Sequence, residues 1–292
     1  MYSAISQNKR NTLLIMAVFV AIIGVLGVFI GMYFDNYSLV PIIAVSALIY
    51  AVIQYFAAGK LAMAMTGAQE IQKQHAPELW RVVENLAITS GMPMPKVYII
   101  QDPAPNAFAT GRDPQHAIVG VTTGLLDIMD KRELTAVMAH EMSHVRNYDI
   151  RVSMIAFGLV SAIGLIADIV LWSMFYGSDS RDRNIHPIFM IVGLIVVILA
   201  PILATITQLA VSRQREYLAD ASGMLLTRDA EGLANALEKL KTYGQPMQKQ
   251  ASSTANLFMN NPLKPSALSK LFSTHPPLDD RIARLRDAAE KM

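Results

Sequence analysis

The most informative segment of the chain is His140-Glu141-Met142-Ser143-His144, within a longer run of helical periodicity from Arg132 through His144. Two histidines four residues apart lie on one face of a helix, so both imidazoles can reach a single ion. Zinc suits them because it accepts histidine nitrogen, tolerates carboxylate and leaves a position for water. Glu141 follows the first ligand and can take a proton from that water. The segment predicts a catalytic zinc site, against the blander interpretation of two surface histidines on an ordinary helix.

Such a site needs a third ligand, and the sequence contains no cysteine to supply it. The candidate is Glu216 in Arg215-Glu216-Tyr217-Leu218-Ala219-Asp220. Asp220, one helical turn further on, can accept a hydrogen bond from a ligating imidazole and fix its tautomer. On spacing alone the charged residues of this segment would better fit a solvated helix face, and it is the need for a third ligand that favours Glu216.

The composition indicates a membrane protein. Hydrophobic residues make up 53% of the 292 positions and charged residues only 16%, whereas soluble proteins carry about 25% charged residues. A net charge of +2 gives no reason to expect a nucleic-acid partner. The absence of cysteine excludes a disulfide framework, a cysteine protease and an iron–sulfur cluster.

Four apolar runs are long enough to cross a bilayer as helices, given the ~20 residues that this requires. They cover residues 13–34, 39–58, 152–176 and 187–210. The loops after the first and third runs hold only two basic residues, Arg181 and Arg183. The positive-inside rule therefore predicts a multi-pass membrane protein with both termini and the active site in the cytoplasm. A buried or shallowly inserted hairpin is the alternative for the last two runs, which carry Asp168 and Gln208. Asp168 is either a functional group or, on the interpretation we favour, a helix-packing one.

The residues that face water are predicted to form one domain from two segments, 60–151 and 212–292. A first transmembrane hairpin (1–59) precedes these segments, and a second (152–211) lies between them. Short β-type runs at 96–100, 106–111 and 117–122 predict a small antiparallel sheet packed against helices, an α+β domain. Residues 244–274 are rich in Ser, Gln, Asn and Pro and predict a long connection, a candidate lid.

The spacing of the ligands from the apolar runs predicts a zinc site close to the bilayer. His144 lies eight residues before Val152, and Glu216 six residues after Ala210. If both helices continue unbroken into the membrane, the metal lies about 9–12 Å above the hydrocarbon boundary. Substrates would then be membrane proteins, or unfolded polypeptides near the surface.

The order of these features closely resembles the HtpX-type bacterial membrane zinc metallopeptidases, relatives of the CAAX prenyl proteases. The resemblance rests on the four spans, Asn106-Ala107-Phe108-Ala109-Thr110-Gly111, His140–His144, Glu216–Asp220 and His275-Pro276-Pro277. It implies a gluzincin-like fold, one zinc ion held by His140, His144 and Glu216, and Glu141 as general base. It further implies that Asn106, Ala107 and Phe108 bind an extended substrate by strand addition. Finally, it implies that His275 and Arg281 contact the tetrahedral intermediate, although in some relatives an equivalent histidine plugs the metal instead.

The resemblance implies a zinc endopeptidase of the bacterial inner membrane that degrades misfolded or damaged membrane proteins on the cytoplasmic side as part of the stress response. Several residues also have structural interpretations: Asn106 as a turn residue, Phe108 as core, His275 as a helix-entry residue and Arg281 as part of a solvated face. Two other functions remain open, a prenyl-protein protease and a non-catalytic membrane adaptor with structural zinc. The intact Glu141 argues against the adaptor, because a structural site needs no base beside the metal. The sequence gives no indication of the oligomeric state.

Overall fold

The computed structural model describes residues 2–33, 35–159, 161, 213–249, 253–263 and 276–291. The helices with their bounds are α1 (Tyr2–Tyr33), α2 (Leu39–Thr66), α3 (Pro77–Ser90), α4 (Thr123–Ile128), α5 (Lys131–Arg146), α6 (Arg213–Thr227), α7 (Ala230–Tyr243) and α8 (Leu278–Ala289). The strands are β1 (Gln69–Glu70), β2 (Lys96–Ile100), β3 (Ala107–Gly111) and β4 (Ala117–Thr122). Residues 149–159 are also helical, and 3₁₀ turns cover Pro114–His116 and Ala255–Leu257.

Helices α1 and α2 are the described elements that are long and apolar enough to cross a membrane, over Ile5–Val25 and Leu39–Thr66. Large apolar side chains stand exposed along α2, as expected of a surface that faces lipid. Of the predicted third span, residues 152–159 and 161 are described and are helical. The rest of that span, the fourth span, Asp168 and Gln208 lie outside the described residues. The prediction of four membrane helices therefore stays a prediction.

The four strands form one sheet in the order β1-β2-β4-β3. Strands β2 and β4 are parallel, whereas β1 is antiparallel to β2 and β3 is antiparallel to β4. The prediction of an antiparallel sheet was wrong, and the sheet is mixed. The chain leaves β2, forms β3 at the far edge and returns between them as β4. All six residues of β4 are buried, which is why it takes the central position.

The sheet separates two hydrophobic clusters, because successive residues of a strand point to opposite faces. One face carries Ala107, Ala109, Val119 and Val121, which pack with α3, α5, α7 and α8. The opposite face carries Phe108 and Ile118, with α1, α2 and residues 152–159. The sheet thus joins the helices of the metal centre to the helices of the membrane anchor.

Helix α5 has a well-defined start and end. Asp130 and Glu133 form a capping box at its N-terminus, which satisfies backbone N–H groups that have no partner within the helix. The helix ends at Arg146, and Tyr148 has a positive φ of 62° in the turn that follows. The expectation of an unbroken helix from His144 into the membrane was therefore wrong. A non-glycine residue with left-handed backbone interrupts the helix before residues 149–159 begin a new one.

Candidate metal centre

His140, His144 and Glu216 come together as one group of possible metal ligands, with one donor atom from each residue lying within 4.8 Å of the others. The Nε2 atoms of the two histidines are 3.2 Å apart. Nε2 of His140 lies 3.8 Å from Oε2 of Glu216, and Nε2 of His144 lies 3.5 Å from Oε1. Helix α5 supplies both imidazoles and helix α6 supplies the carboxylate.

These separations fit a zinc ion. Zinc bonds of about 2.0–2.2 Å in a tetrahedral arrangement place neighbouring donor atoms roughly 3.3–3.6 Å apart. One observed separation, 3.5 Å, lies in this range, and the other two, 3.2 and 3.8 Å, depart from it by no more than about 0.2 Å. The donor set of two imidazoles and one carboxylate is also that of catalytic rather than structural zinc sites. The residues present therefore fit the metal predicted from the sequence.

The spacing of residues on α6 explains how it reaches the metal ligands on α5. Glu216, Asp220 and Gly223 are four and three residues apart, so they share one helical face. Gly223 allows the close approach, since a β-carbon there would lie 3.0 Å from the backbone nitrogen of His140. The charged residues of this face do not form a solvated surface, because Glu216 and Asp220 are both buried.

Asp220 and Arg281 hold His140. Nδ1 of His140 is 2.9 Å from Oδ1 of Asp220. Arg281 donates to the same carboxylate through Nε at 2.8 Å and Nη2 at 2.7 Å, and its Nη1 lies 3.2 Å from Oε2 of Glu216. A hydrogen bond at Nδ1 leaves Nε2 with its lone pair directed towards the ligand group. Burial raises the pKa of Asp220, but the Arg281 charge and the His140 contact outweigh it and lower that pKa to about 2.

Arg281 is fully buried, although the sequence also allowed a place on a solvated face. Burial lowers the pKa of its guanidinium, but the charges of Asp220 and Glu216 outweigh this effect and raise it. The side chain is therefore a permanent cation that ties α8 to the two carboxylates of α6.

Asp149 contacts Nδ1 of His144 in the same way that Asp220 contacts Nδ1 of His140. This role of Asp149 was not predicted from the sequence. Nδ1 of His144 lies 3.0 Å from Oδ2 of Asp149. The other oxygen of Asp149 accepts a hydrogen bond of 2.7 Å from Asn8 of α1, which also donates to the carbonyl of Asn147 at 2.8 Å. A signal was present, because each ligating imidazole normally has a partner at its second nitrogen and Asp149 lies five residues beyond His144.

The two imidazoles differ in their affinity for a proton. Burial lowers the pKa of His140, and its contact with Asp220 does not overcome this effect. Burial lowers the pKa of His144, but the hydrogen bond to Asp149 and the charge of Glu216 overcome it and raise that pKa to about 9. A cluster that stabilises a proton here also stabilises a cation that replaces it.

Glu141 is 3% exposed and lies between the two histidines in the sequence. Its burial, together with the charge of Glu216, raises the pKa of the carboxyl group to about 7, against the lowering effect of His144 and Arg281. A carboxyl group that titrates near neutral pH can both accept and return a proton.

The predicted substrate residues Asn106, Ala107 and Phe108 lie at the start of β3, which forms one edge of the sheet and packs against α5. All three are buried. The ring of Phe108 fills the space above Gly120 on β4, where a β-carbon would come within 2.4 Å of it. Phe108 is therefore a core residue as well as an edge residue.

The outer edge of β3 is paired with a segment of the same chain, Leu257–Asn260, which we call the resident strand. Phe258 forms an antiparallel bridge with Phe108, and their rings lie 5.7 Å apart. The backbone N–H of Met259 donates to the carbonyl of Ala107 at 2.9 Å. The Asn106 side chain accepts from the N–H of Asn260 at 3.0 Å and donates to its carbonyl at 2.7 Å.

The resident strand belongs to the stretch predicted as a long connection and candidate lid. Its side chains Leu257, Phe258 and Met259 are buried, so this part of the stretch packs on the domain. His275 lies outside the described residues, and the role predicted for it stays a prediction.

Three comparisons place the chain among known proteins. A model of peptidase family M48 matches residues 73–289. A protease HtpX homolog of Tropheryma whipplei (strain Twist) is 54% identical over 287 residues, which cover 98% of both chains. A protease HtpX homolog of Lactobacillus helveticus is 45% identical and covers 98% of this chain and 99% of its own. The crystal structure of S. mikatae Ste24p matches 98% of this chain and 67% of its own, with 19% identity and a TM-score of 0.47. The resemblance drawn from the ordered motifs is confirmed.

Proposed function

Because this chain belongs to peptidase family M48 and is a metalloprotease, we propose that it is a membrane-embedded zinc endopeptidase. Its substrates are misfolded membrane proteins and unfolded polypeptides at the cytoplasmic face of the inner membrane. The observation that carries the proposal is the convergence of three ligand atoms beside one buried carboxylic acid, Glu141.

His140, His144 and Glu216 would hold the zinc ion, one per chain. Zinc bound there supplies Lewis-acid activation of water and of the scissile carbonyl. Asp220 and Asp149 keep the two imidazoles in the tautomer that presents Nε2. Arg281 restrains Asp220 and neutralises part of the negative charge of Glu216.

Glu141 acts as general base and then as general acid. It takes the proton of the attacking water and passes it to the amine that leaves when the peptide bond breaks. A pKa raised to about 7 by burial supports this exchange, because general catalysis is most effective when the pKa lies near the working pH.

Strand β3 binds the substrate as an added antiparallel strand. Backbone groups of Ala107 and the amide side chain of Asn106 supply the hydrogen bonds, as they now do to the resident strand. Phe108 supports the edge from the sheet interior. The roles proposed for His275 and Arg281 at the tetrahedral intermediate remain part of this proposal, although the contacts of Arg281 to Asp220 and Glu216 support a positioning role first.

The membrane anchor comprises α1, α2 and the two later spans predicted from the sequence, with both termini in the cytoplasm. Lys9 and Arg10 near the start of α1 and Lys60 near the end of α2 support this orientation, since cytoplasmic ends of spans are enriched in basic residues.

The test compares Glu141→Gln with the wild type in a casein cleavage assay, with and without chelator, alongside zinc analysis of the purified protein. We expect wild-type cleavage to be chelator-sensitive, and Glu141→Gln to keep one zinc per chain while cleavage falls about a thousandfold. Glu133→Gln is the matched control, because Glu133 is a buried glutamate of the same helix whose capping role glutamine can fill. Undiminished cleavage by Glu141→Gln would contradict the proposal.

A further inference from the structure

A cavity of about 360 Å³ lies where helix α2 meets the sheet, within the roughly 300–1,000 Å³ range of small-molecule sites. Its charged and aromatic lining residues are Tyr55, Phe56, Lys60, Lys96, Arg112 and His116. None of the described residues that line it is acidic. The cavity is thus lined by three permanent cations, Lys60, Lys96 and Arg112, of which the last two also pair with carboxylates outside the lining.

The cavity lies at the level where the lipid-facing surface of α2 ends. Apolar side chains of α2 that are more than half exposed recur up to Phe56, and Lys60 follows one turn later. Tyr55 and Phe56 have the aromatic character typical of the membrane–water interface. A headgroup in the cavity would leave its acyl chains beside the exposed side chains of Ile49 and Ile53.

Basic side chains stack on aromatic rings around this level. The Arg112 guanidinium lies 5.0 Å from the Phe56 ring centroid, and that of Arg151 lies 5.7 Å from the Tyr55 centroid. The Tyr148 ring has two cations near it: its centroid lies 4.9 Å from the Arg151 guanidinium and 4.8 Å from Nζ of Lys9. Rings hold these cations in place at the depth of lipid phosphates.

We propose that this cavity binds the phosphodiester headgroup of an anionic phospholipid. Lys60 and Arg112 donate to the phosphate, and Lys96 contributes charge although it also pairs with Glu70 at 2.9 Å. Asp113 lies 3.5 Å from Arg112 and outside the lining, so it reduces this charge without reaching the ligand. The proposal does not depend on peptidase chemistry and applies equally to the inactive Glu141→Gln protein.

The test measures binding of fluorescent phosphatidylglycerol to the full zinc-loaded chain in neutral detergent, for wild type and for Lys60→Gln/Lys96→Gln. Each cation near a lipid surface contributes about fivefold in affinity, so we expect the double variant to bind at least tenfold more weakly. Lys73→Gln is the matched control, since Lys73 is an exposed lysine paired with Glu84 at 3.1 Å, much as Lys96 is with Glu70. It should bind as the wild type does.

Competition measurements identify the source of the phosphate, and a charge-conserving variant controls for misfolding. Phosphatidylcholine should compete poorly, and inorganic phosphate should not displace the probe at millimolar concentration. Lys60→Arg/Lys96→Arg should restore binding if charge is what the cavity supplies. Equal binding by the glutamine variant, equal competition by phosphatidylcholine, or displacement by inorganic phosphate would each overturn the proposal.

The resident strand carries a second inference, which rests on the substrate-binding role proposed for β3. Because Leu257–Asn260 uses the same Asn106 and Ala107 groups that a substrate strand would need, we infer that it is a built-in competitor that substrate must displace. A substrate strand offers equivalent hydrogen bonds to β3, so the exchange costs mainly the burial of Leu257, Phe258 and Met259. Short, weakly pairing chains are thereby excluded, while long unfolded chains gain access.

Met259→Pro tests this directly, because proline removes the N–H that donates to Ala107 without altering β3. We expect KM for casein to fall about threefold or more with kcat little changed, while Met259→Leu, which keeps the N–H, behaves as the wild type. An unchanged or raised KM in folded Met259→Pro protein would refute the inference that the resident strand competes with substrate, and it would leave the peptidase assignment intact. A wild type without chelator-sensitive cleavage would instead refute the proposed function.

Hydrogen exchange provides a readout that does not need catalysis. In zinc-loaded Glu141→Gln, excess casein should accelerate exchange of the Met259 amide if substrate displaces the resident strand. Bound casein that leaves this amide protected would also refute the competitor.

Discussion

The metal centre and the edge of strand β3 are neighbours in the fold, but they are held in opposite ways. The metal centre is built from buried charged side chains, each engaged by another charge: Asp220 with Arg281, and Asp149 with His144. Removing any one leaves a buried charge uncompensated, which is costly. The β3 edge is closed by one backbone hydrogen bond from Met259 and by backbone groups of Asn260 that pair with the Asn106 side chain, and another strand can supply the same backbone groups. The charged groups of the metal centre are therefore held in place, whereas the segment that pairs with β3 can be exchanged for another strand.

The largest effect is expected at the third ligand, where the sequence left two interpretations open. In Glu216→Gln the uncharged amide neither ligates zinc well nor balances Arg281, so zinc content should fall from one per chain to near zero. Loss of a residue that hydrogen-bonds a metal ligand weakens metal binding by up to roughly a hundredfold, and loss of the ligand itself should weaken it further. Elemental analysis and casein cleavage measure both. Glu231→Gln, a glutamate on α7, serves as control, and a fully metallated Glu216→Gln protein would exclude Glu216 as ligand.

Asp220→Asn should weaken zinc binding by about 10–100-fold, because the amide can neither anchor His140 nor neutralise Arg281. Competition with a chromogenic chelator measures the affinity. Asp229→Asn is a matched control, since Asp229 also pairs with an arginine, Arg132, but on the surface. Equal zinc affinities in the two variants would show that Asp220 does not act through the metal ligand.

Gly120→Ala, opposite Phe108 of the β3 edge, should destabilise the sheet and leave the metal centre unchanged. The new methyl group would lie 2.4 Å from the Phe108 ring, and such overpacking costs about 1–3 kcal/mol. We expect a lower melting temperature and a raised KM for casein with zinc affinity unchanged. Gly24→Ala is the control, because a methyl group there meets no atom within 4 Å. A change in zinc affinity of folded Gly120→Ala would show that edge and centre are not separate.

The smallest effect is expected from Asn8→Ala, which removes the hydrogen bond from α1 to Asp149. The loss of one such bond, worth about 1 kcal/mol and one step removed from the ligand, should weaken zinc binding about threefold. Chelator competition again provides the measurement, with Gln7→Ala, an exposed neighbour on α1, as control. Identical affinities for both variants would mean that Asp149 keeps its position without Asn8.

The sequence predicted the metal helix well because the determinants of that helix are local. The periodicity from Arg132 to His144 lies within α5, and the two histidines meet through spacing alone. Glu216 followed from the need for a third ligand, with no long-range information. Asp149 was equally predictable, because it lies five residues beyond His144 and a ligating imidazole needs a partner at its second nitrogen.

Sheet order and the resident strand were harder to predict, because both depend on contacts between distant segments. The run Ala117-Ile118-Val119-Gly120-Val121-Thr122 has almost no polar residue, which is typical of a central strand, but we predicted only that it forms a strand and not where it lies in the sheet. Leu257-Phe258-Met259 is an apolar triplet within a polar stretch, a sign of burial, but nothing local identifies β3 as its partner. The break at Tyr148 could not be foreseen either, since tyrosine rarely adopts left-handed backbone.

The hydrogen bond between Asn8 and Asp149 links the first anchor helix to an imidazole of the reaction centre through a single carboxylate. A fragment cut free of that helix would lose this support for the alignment of His144. Clipping the chain just after its N-terminal helix would thus weaken the hydrolase even while α2 keeps it attached to the membrane. The first helix therefore contributes to the alignment of the metal centre as well as to the apolar anchor.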